Sequence, residues 1–193
     1  MTRVVLIQAG PTPWDEEERL SGAHTLPLTD GAVESIRALV ERIDYPVQAV
    51  YRAARNEAAD QTAKVVAHTF SLRPRDAPDL DALNLGLWQG LRGAEVKSRF
   101  PSAFPRWQEN ALSVNPPEGE SLADAIERLR GALAKILRRN RGHAIALALR
   151  PMAMQIVAGI LRLQSPEQIG QHLHDRAPVE TIDIADEDLQ RYL

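Results

Sequence analysis

Residues 4–11, VVLIQAGP, decide the fold of this 193-residue chain. Val4 to Ile7 is an unbroken apolar run, which is typical of a strand buried on both faces, and Gly10 with Pro11 indicates that a loop follows. Such strands occur in α/β proteins, where helices cover a mainly parallel sheet. The segment therefore predicts an α/β fold.

The chain after this strand alternates between helix and strand. Apolar residues spaced three and four apart predict an amphipathic helix over 31–43, and a short strand is predicted over 47–51. Asn56 is a suitable N-cap for a second helix over 56–70. This order is typical of a parallel sheet whose strands are joined by crossover helices.

The C-terminal half continues the same pattern. Ser121 begins a capping-box pattern, and regular apolar spacing predicts a long helix from there to Arg139. A buried strand is predicted over 143–149, and a helix opened by Pro151 follows it. Residues 178–184 alternate between polar and apolar and predict an edge strand.

One domain is predicted over residues 1–193, because a chain of 21.4 kDa is long enough for one sizeable core. The predicted architecture is a mainly parallel sheet with helices on both faces, which is a three-layer sandwich. The Pro-rich segment 73–117 has little sustained periodicity apart from short helices predicted over 94–100 and 103–110. We predict that this segment is a lid or insertion over the mouth of the sheet.

Composition excludes several classes of function. A net charge of -3 and a pI near 6.0 provide no positive field for nucleic acid, and the absence of cysteine excludes disulfides and thiolate chemistry. No apolar run approaches the ~18 residues of a membrane helix, and the N-terminus lacks the apolar region of a signal peptide. We expect a cytoplasmic protein with no metal, cofactor, membrane or nucleic-acid partner.

Ligands of open α/β sheets bind outside the carboxyl ends of the strands. Three such ends are predicted here, at residues 8–10, 52–55 and 149–151. Since the carboxyl ends of parallel strands meet at one edge of a sheet, we expect any binding or chemistry at this edge.

Several short strings occur in a fixed order along the chain. They are LIQAGPTPW, RLSG, PLT, DQTA, GLWQG and PPEGES, and a buried strand ending at Arg150 follows them. In this order and spacing the chain resembles the histidine phosphatase superfamily, in its phosphoglycerate-mutase-like branch, over residues 3–161. The resemblance implies the three-layer fold of phosphoglycerate mutases.

The chemistry of that family depends on a small set of side chains. A neutral imidazole attacks phosphorus, two arginines and a second histidine hold the phosphoryl oxygens, and a carboxylic acid protonates the leaving oxygen. The first strand of the family ends in Arg-His-Gly, and the matching residues here are Gln8, Ala9 and Gly10. A methyl side chain therefore stands at the position of the nucleophile, and a neutral amide at that of its arginine.

The second arginine and the acid of the family are also replaced in this alignment. The arginine aligns with Ala58, or with Glu57 or Ala59 if the alignment shifts by one residue, and none of the three is basic. The acid aligns with Ala82, although Asp81 is adjacent.

The second histidine of the family aligns with Arg150, or with Leu149 in the adjacent register. The family's catalytic positions are then occupied by Gln8, Ala9, Ala58, Ala82 and Arg150. Alanine cannot donate, accept or attack, and losses at residues that act as a unit abolish most of the rate. The resemblance thus implies a pseudoenzyme that acts as a binding or regulatory module.

A binding role predicts ligand residues at the same edge of the sheet. The candidates are Gln8, Gly10, Thr12, Ser21, His24, Arg52, Arg55, Asp81 and Arg150. In one interpretation the arginines form a cationic pocket for a small phosphorylated metabolite or an inorganic anion. In the other, neighbouring acids neutralise the arginines; these acids are Asp81, Glu57 and Asp15.

Two further hypotheses stay open. In the first, the chain is a phosphatase or phosphomutase that uses a non-standard constellation of His24, Asp81 and Arg150. In the second, it is a structural subunit that binds a protein partner or forms a homodimer, since related folds often assemble through sheet edges. A phosphomonoesterase assay separates catalysis from binding, and light scattering tests the homodimer.

Overall fold

Five strands form one sheet in the computed structural model of the protein, which describes residues 1–53 and 55–192. They are β1 (Thr2–Gln8), β2 (Ala49–Arg52), β3 (Pro74–Asp76), β4 (Ala144–Leu149) and β5 (Val179–Ile184). The strand order is β3-β2-β4-β1-β5. The first four strands in this order pair in parallel. β5 lies at the edge of the sheet, as its alternating sequence predicted, and it pairs antiparallel to β1.

Helices connect and cover the strands. They are α1 (Pro13–Glu16), α2 (Ala32–Val40), α3 (Glu57–Thr69), α4 (Gly93–Arg99), α5 (Ala103–Glu109), α6 (Leu122–Arg139), α7 (Pro151–Leu161) and α8 (Pro166–Gln171). Short 3-10 helices lie at Pro78–Leu80, Gly86–Trp88 and Leu189–Tyr192. The predicted α/β fold with a mainly parallel sheet is confirmed.

Alternate residues of β1 belong to two different apolar clusters. Val4 and Leu6 pack in the cluster that contains α6 and α7, whereas Val5 and Ile7 pack in the cluster that contains α2 and α3. All four side chains are fully buried. Complete burial of such a side chain contributes about 1.5–3 kcal/mol. The sheet is therefore covered by helices on both faces, as the unbroken apolar run predicted.

Two helix starts follow the capping chemistry read from the sequence. The Asn56 side chain accepts a hydrogen bond of 3.0 Å from the Ala59 N–H at the start of α3. The Ser121 hydroxyl accepts one of 3.0 Å from the Asp124 N–H at the start of α6. A side-chain acceptor satisfies an N–H that has no partner within the helix, so both caps fix the first turn.

Some boundaries and elements differ from the prediction. Helix α2 ends at Val40 and not at Ile43, and β3, α1 and α8 have no counterpart in the sequence reading. β3 has the sequence Pro-Arg-Asp, without apolar alternation, and exists because it pairs with the edge of β2. Tertiary pairing of this kind leaves no local pattern in the sequence.

The segment predicted as a lid, 73–117, contains α4 and α5 close to the predicted positions. Its aromatic side chains Trp88, Phe104 and Trp107 pack against one another, and the edge-to-face pair of Trp88 and Trp107 has ring centroids 5.4 Å apart. All three are buried in the cluster that also contains α6. The segment is thus anchored in the core, and its role as a lid stays a prediction.

Within the described ranges, no helix is both long and apolar enough to span a bilayer. The same residues contain no group of three or more His, Cys, Asp or Glu side chains placed to hold a metal ion. The single domain over 1–193 and the cytoplasmic location stay predictions.

Candidate functional site

The predicted edge of the sheet is formed by the ends of β1 and β4. The two strands are parallel neighbours with Gln8 opposite Leu149. The Ala9 N–H donates a hydrogen bond of 2.7 Å to the Leu149 carbonyl oxygen, directly beyond the paired residues. Ala9 and Arg150 therefore leave the sheet side by side, as the sequence predicted.

Arg150 is 3% exposed and donates its hydrogen bonds to the protein. Its Nη1 lies 3.3 Å from the Gly10 carbonyl oxygen, and its Nη2 lies 2.8 Å from each carboxylate oxygen of Asp15 and 2.8 Å from the Ser21 hydroxyl. One guanidinium thus holds together the end of β1, helix α1 and the loop that follows it. Asp15 is one of the three acids that the sequence offered as partners for the arginines, and here it pairs with Arg150.

Asp15 is held in place from two sides. The Thr12 N–H and hydroxyl donate to its Oδ2 over 2.7 and 2.6 Å, so the carboxylate also closes the cap of α1. Burial alone would raise the pKa of Asp15. The charge of Arg150 and the hydrogen bonds from Arg150 and Thr12 outweigh burial and hold the pKa below its ordinary value.

A cavity of about 380 Å³ lies beside this ion pair, and we call it the β1 cavity. Its lining includes Gln8, Ala9, Asp15, Arg19, Arg150 and Arg176. Ala9 is 2% exposed, and no partner is found for the buried Oε1 of Gln8 in the described structure. Gly10 is closely packed, because a Cβ there would meet Leu28 at 2.9 Å and Ile36 at 3.0 Å.

A second, larger cavity of about 550 Å³ lies beyond the ends of β2 and β3, and we call it the Asp81 cavity. Its lining includes Arg55, Asn56, Asp79, Asp81, Ala82 and Arg128. The Arg55 guanidinium lies 3.8 Å from the Asp81 carboxylate. A small cavity of about 60 Å³ between the two is lined by both Ala82 and Arg150.

Few hydrogen bonds and charges offset the burial of the Asp81 carboxylate. Its Oδ1 is buried with no hydrogen-bond partner among the residues placed by the structure. Burial raises the pKa of Asp81, and a backbone hydrogen bond from Arg55 with the charges of Arg55 and Arg128 opposes this only in part. Arg128 is itself bound to Glu120 by two hydrogen bonds of 2.8 Å.

The remaining candidates are dispersed. Arg52 forms ion pairs with Asp60 and, at 2.7 Å, with Asp76, and it does not line any of the three cavities. His24 is exposed and stacks on Trp14 with ring centroids 4.5 Å apart, and it too is outside these linings. Asp81 and Arg150 line different cavities, so His24, Asp81 and Arg150 do not share one site.

The second arginine and the second histidine of the family can each be aligned one residue away from Ala58 and Arg150. These shifted alignments bring no other charged side chain into the cavities. At the start of α3, Glu57 is exposed, whereas Ala58 and Ala59 are fully buried. Leu149 is also fully buried. The choice of register therefore does not change the chemistry of the cavity walls.

Arg176 is one of the cavity-lining arginines that sequence reasoning missed, together with Arg19 and Arg128. It lies in the loop before β5 and lines both the β1 cavity and the small one. The Gln8 N–H donates to the Pro178 carbonyl oxygen over 3.0 Å, which fixes this loop beside the end of β1. No local motif marks Arg176, because only the pairing of β5 with β1 places it there.

Asp81→Asn is expected to raise the free energy of unfolding at pH 7, and with it the melting temperature, by less than the ~1 kcal/mol contributed by a typical hydrogen bond. The pKa of Asp81 is raised in the folded chain, so its charged form is penalised above that pKa and the penalty disappears as pH falls through it. Thermal unfolding followed by circular dichroism at pH 7 and in acid tests this. A variant that is less stable than the wild type at pH 7 would contradict it.

Comparison with known proteins identifies a matching family profile, relatives in sequence and similar structures. The sequence profile of the histidine phosphatase superfamily (branch 1) matches residues 4–191. A metal-independent phosphoserine phosphatase of Arabidopsis thaliana is 25% identical over 192 residues, covering 97% of this chain and 78% of its own. A 2,3-bisphosphoglycerate-dependent phosphoglycerate mutase of Gloeobacter violaceus is 28% identical, covering 88% and 80%. The solved structure of Bacillus stearothermophilus YhfR has a TM-score of 0.85 at 21% identity, covering 96% and 93%, and shows the same fold.

Proposed function

This chain belongs to the histidine phosphatase superfamily, branch 1, and on that premise we propose that it is a member without the histidine mechanism, which binds a ligand and does not turn it over. The observation that carries the proposal is the residue at the end of β1. There the buried methyl group of Ala9 borders the β1 cavity at the position that aligns with the nucleophile. A methyl group can neither attack phosphorus nor hold a transferred phosphoryl group.

The walls of the cavities support the same proposal. No histidine is among the described residues that line the β1 cavity, the small cavity or the Asp81 cavity. Ala82, at the aligned position of the acid, supplies no proton to a leaving oxygen. The groups that would attack and protonate are thus replaced by groups that do neither.

Two of the three predicted arginines are already paired with acids. Arg150 is neutralised by Asp15, and Arg52 by Asp60 and Asp76. These acids occupy the guanidinium groups and so disfavour phosphate binding by Arg52 and Arg150. Phosphate binding at these side chains therefore stays a prediction. The Asp81 cavity, at about 550 Å³, is in the size range of small-molecule sites and is the proposed place for a small metabolite.

A catalytic function is the second candidate, and the names of the relatives favour it. The Arabidopsis relative over 97% of this chain is a phosphoserine phosphatase, so phosphomonoester hydrolysis is the reaction to test. The constellation of His24, Asp81 and Arg150 gives it little support, since these residues line no common cavity. Association with a protein partner or a second copy, through the β5 edge, is a further proposal that light scattering tests.

Purified protein is expected to hydrolyse p-nitrophenyl phosphate and phosphoserine no faster than a buffer blank. Loss of a covalent nucleophile typically costs about 10⁶-fold in kcat, which places any residual rate below detection. Mass spectrometry of protein incubated with these esters should show no phosphorylated chain.

The control for this assay is His24→Ala. A trace rate that is the same in wild type and His24→Ala comes from a contaminant and leaves the proposal standing. A robust rate that His24→Ala abolishes, or a phosphorylated His24, would establish the catalytic alternative.

A further inference from the structure

The buried hydroxyl group of Tyr51 in β2 is surrounded by hydrogen-bond donors. Tyr51 is 4% exposed, and the Asn140 Nδ2 lies 2.9 Å from its hydroxyl oxygen and 2.7 Å from the Ile136 carbonyl oxygen. A carbonyl oxygen only accepts, so the amide nitrogen of Asn140 faces both oxygens and donates to each. The Arg75 Nη1, which can only donate, lies 3.4 Å from the same hydroxyl. The Tyr51 oxygen thus accepts twice, and within the described part of the chain nothing accepts its proton.

Tyr51 lines a cavity of about 230 Å³ between β3 and α6, and we call it the Tyr51 cavity. Much of its wall is apolar and consists of Ala77, Pro78, Ala132 and Ile136. The lining shares Pro78 and Asp79 with the Asp81 cavity and no residue with the β1 cavity. The volume is below the ~300 Å³ at which sites for drug-sized ligands begin, so the cavity fits a small ligand.

The charges around the Tyr51 cavity favour an anion. The acids of its wall are already paired, in the ion pairs Asp76–Arg52 at 2.7 Å and Asp79–Lys135 at 3.1 Å. Arg139 is also in the wall, and Arg75 lies over the Tyr51 ring with its Cζ 5.8 Å from the ring centroid. Neither arginine forms an ion pair with any residue that the structure describes. Two cations therefore stand beside a hydroxyl group that has a proton to donate.

We propose that the Tyr51 cavity binds a small organic carboxylate with an apolar body. The Tyr51 hydroxyl donates its proton to a carboxylate oxygen, in the stronger kind of hydrogen bond that a charged acceptor forms. Arg139 and Arg75 compensate the negative charge, and the apolar body packs against Ala132 and Ile136. An inorganic anion lacks that body and gains nothing from the apolar wall. This site is additional to the proposed function, because none of these four residues lines the β1 cavity.

Benzoate is the probe for this site, and benzamide, which has the same shape without the charge, is the control ligand. Isothermal titration of the full chain should give a Kd for benzoate of about 1 mM or lower, as expected for so small a ligand. Benzamide should bind about tenfold more weakly or worse. Tyr51→Phe keeps the ring and removes only the donor, so it should weaken benzoate binding by about tenfold or more.

The matched pair of charge variants is Arg139→Gln and Arg138→Gln. Arg139→Gln should weaken benzoate binding by about tenfold. Arg138 is the exposed neighbour of Arg139 in α6 and does not line the cavity, so Arg138→Gln should change the affinity by less than about twofold. Equal losses in the two variants would show that only surface charge matters and would overturn the proposal.

Three other results also overturn it: no binding of benzoate, equal binding of benzamide, or unchanged affinity in Tyr51→Phe. If Tyr51→Phe does not give the circular dichroism spectrum of the wild type, the comparison of Arg139→Gln with Arg138→Gln decides. An excess of inorganic phosphate at equal ionic strength should leave the benzoate affinity unchanged, whereas competition would place benzoate in an anion site elsewhere. These readouts involve no turnover, so they are separate from the phosphatase assay that tests the proposed function.

Discussion

Asp15→Ala is expected to lower the free energy of unfolding at pH 7 by about 3 kcal/mol. Arg150 is 3% exposed, and without Asp15 its guanidinium keeps its charge and loses its only acidic partner in the described structure. Breaking a buried ion pair by removing one partner costs about 3–5 kcal/mol, and the 29% exposure of Asp15 places the effect at the lower end. Urea unfolding followed by circular dichroism measures it.

The comparison variant is Glu16→Ala, in the same helical turn. Glu16 is exposed, so its removal should change stability by less than about 0.5 kcal/mol. The pKa of Asp15 is lowered in the folded chain, so the ion pair contributes stability above the unfolded pKa of about 3.9 and loses it as pH falls through the folded pKa. The difference between wild type and Asp15→Ala should therefore shrink in acid. Similar losses in the two alanine variants at pH 7 would show that Arg150 does not depend on Asp15.

The fold could be predicted because its main elements carry local patterns. β1 is an unbroken apolar run because both of its faces are buried, and α6 combines a capping serine with a regular apolar stripe. Such signals act within one element and survive without tertiary information. The missed elements, α1, β3 and α8, are short and depend on their neighbours.

The candidate site could be predicted only in outline. The carboxyl ends of β1 and β4 follow from the fold, which places Ala9 beside Arg150. The partner of Arg150 does not follow, because Asp15 is 135 residues away in the chain and the sequence does not assign the three candidate acids to particular arginines. Side-chain pairing across such separations depends on packing that no spacing rule describes.

Two of the family-like strings have a structural role. GLWQG and PPEGES cross each other with their backbones in contact: the Leu87 N–H donates to the Pro117 carbonyl oxygen over 3.0 Å, and the Glu120 N–H to that of Asn84 over 2.8 Å. Gly86 lies at this crossing with a φ of +51°. The contact between the two strings is therefore a structural feature of the fold.

Gly86→Ala is accordingly expected to destabilise the protein by about 2–5 kcal/mol, which combines the cost of a left-handed backbone with that of overpacking. A Cβ at this position would lie 2.0 Å from the Pro117 carbonyl oxygen and 2.6 Å from the Gly119 nitrogen. Both atoms belong to the backbone, which cannot rotate away as a flexible side chain does. The two strings must therefore separate, and urea unfolding should report the loss.

Gly142→Ala is the matched control, because Gly142 has a φ of +76° and a Cβ there would meet nothing within 4 Å. It should lose only the about 1–2 kcal/mol of the left-handed backbone. The difference between the two variants isolates the contact between GLWQG and PPEGES. Equal losses would mean that Gly86 is retained for its backbone conformation alone, and that the crossing tolerates a methyl group.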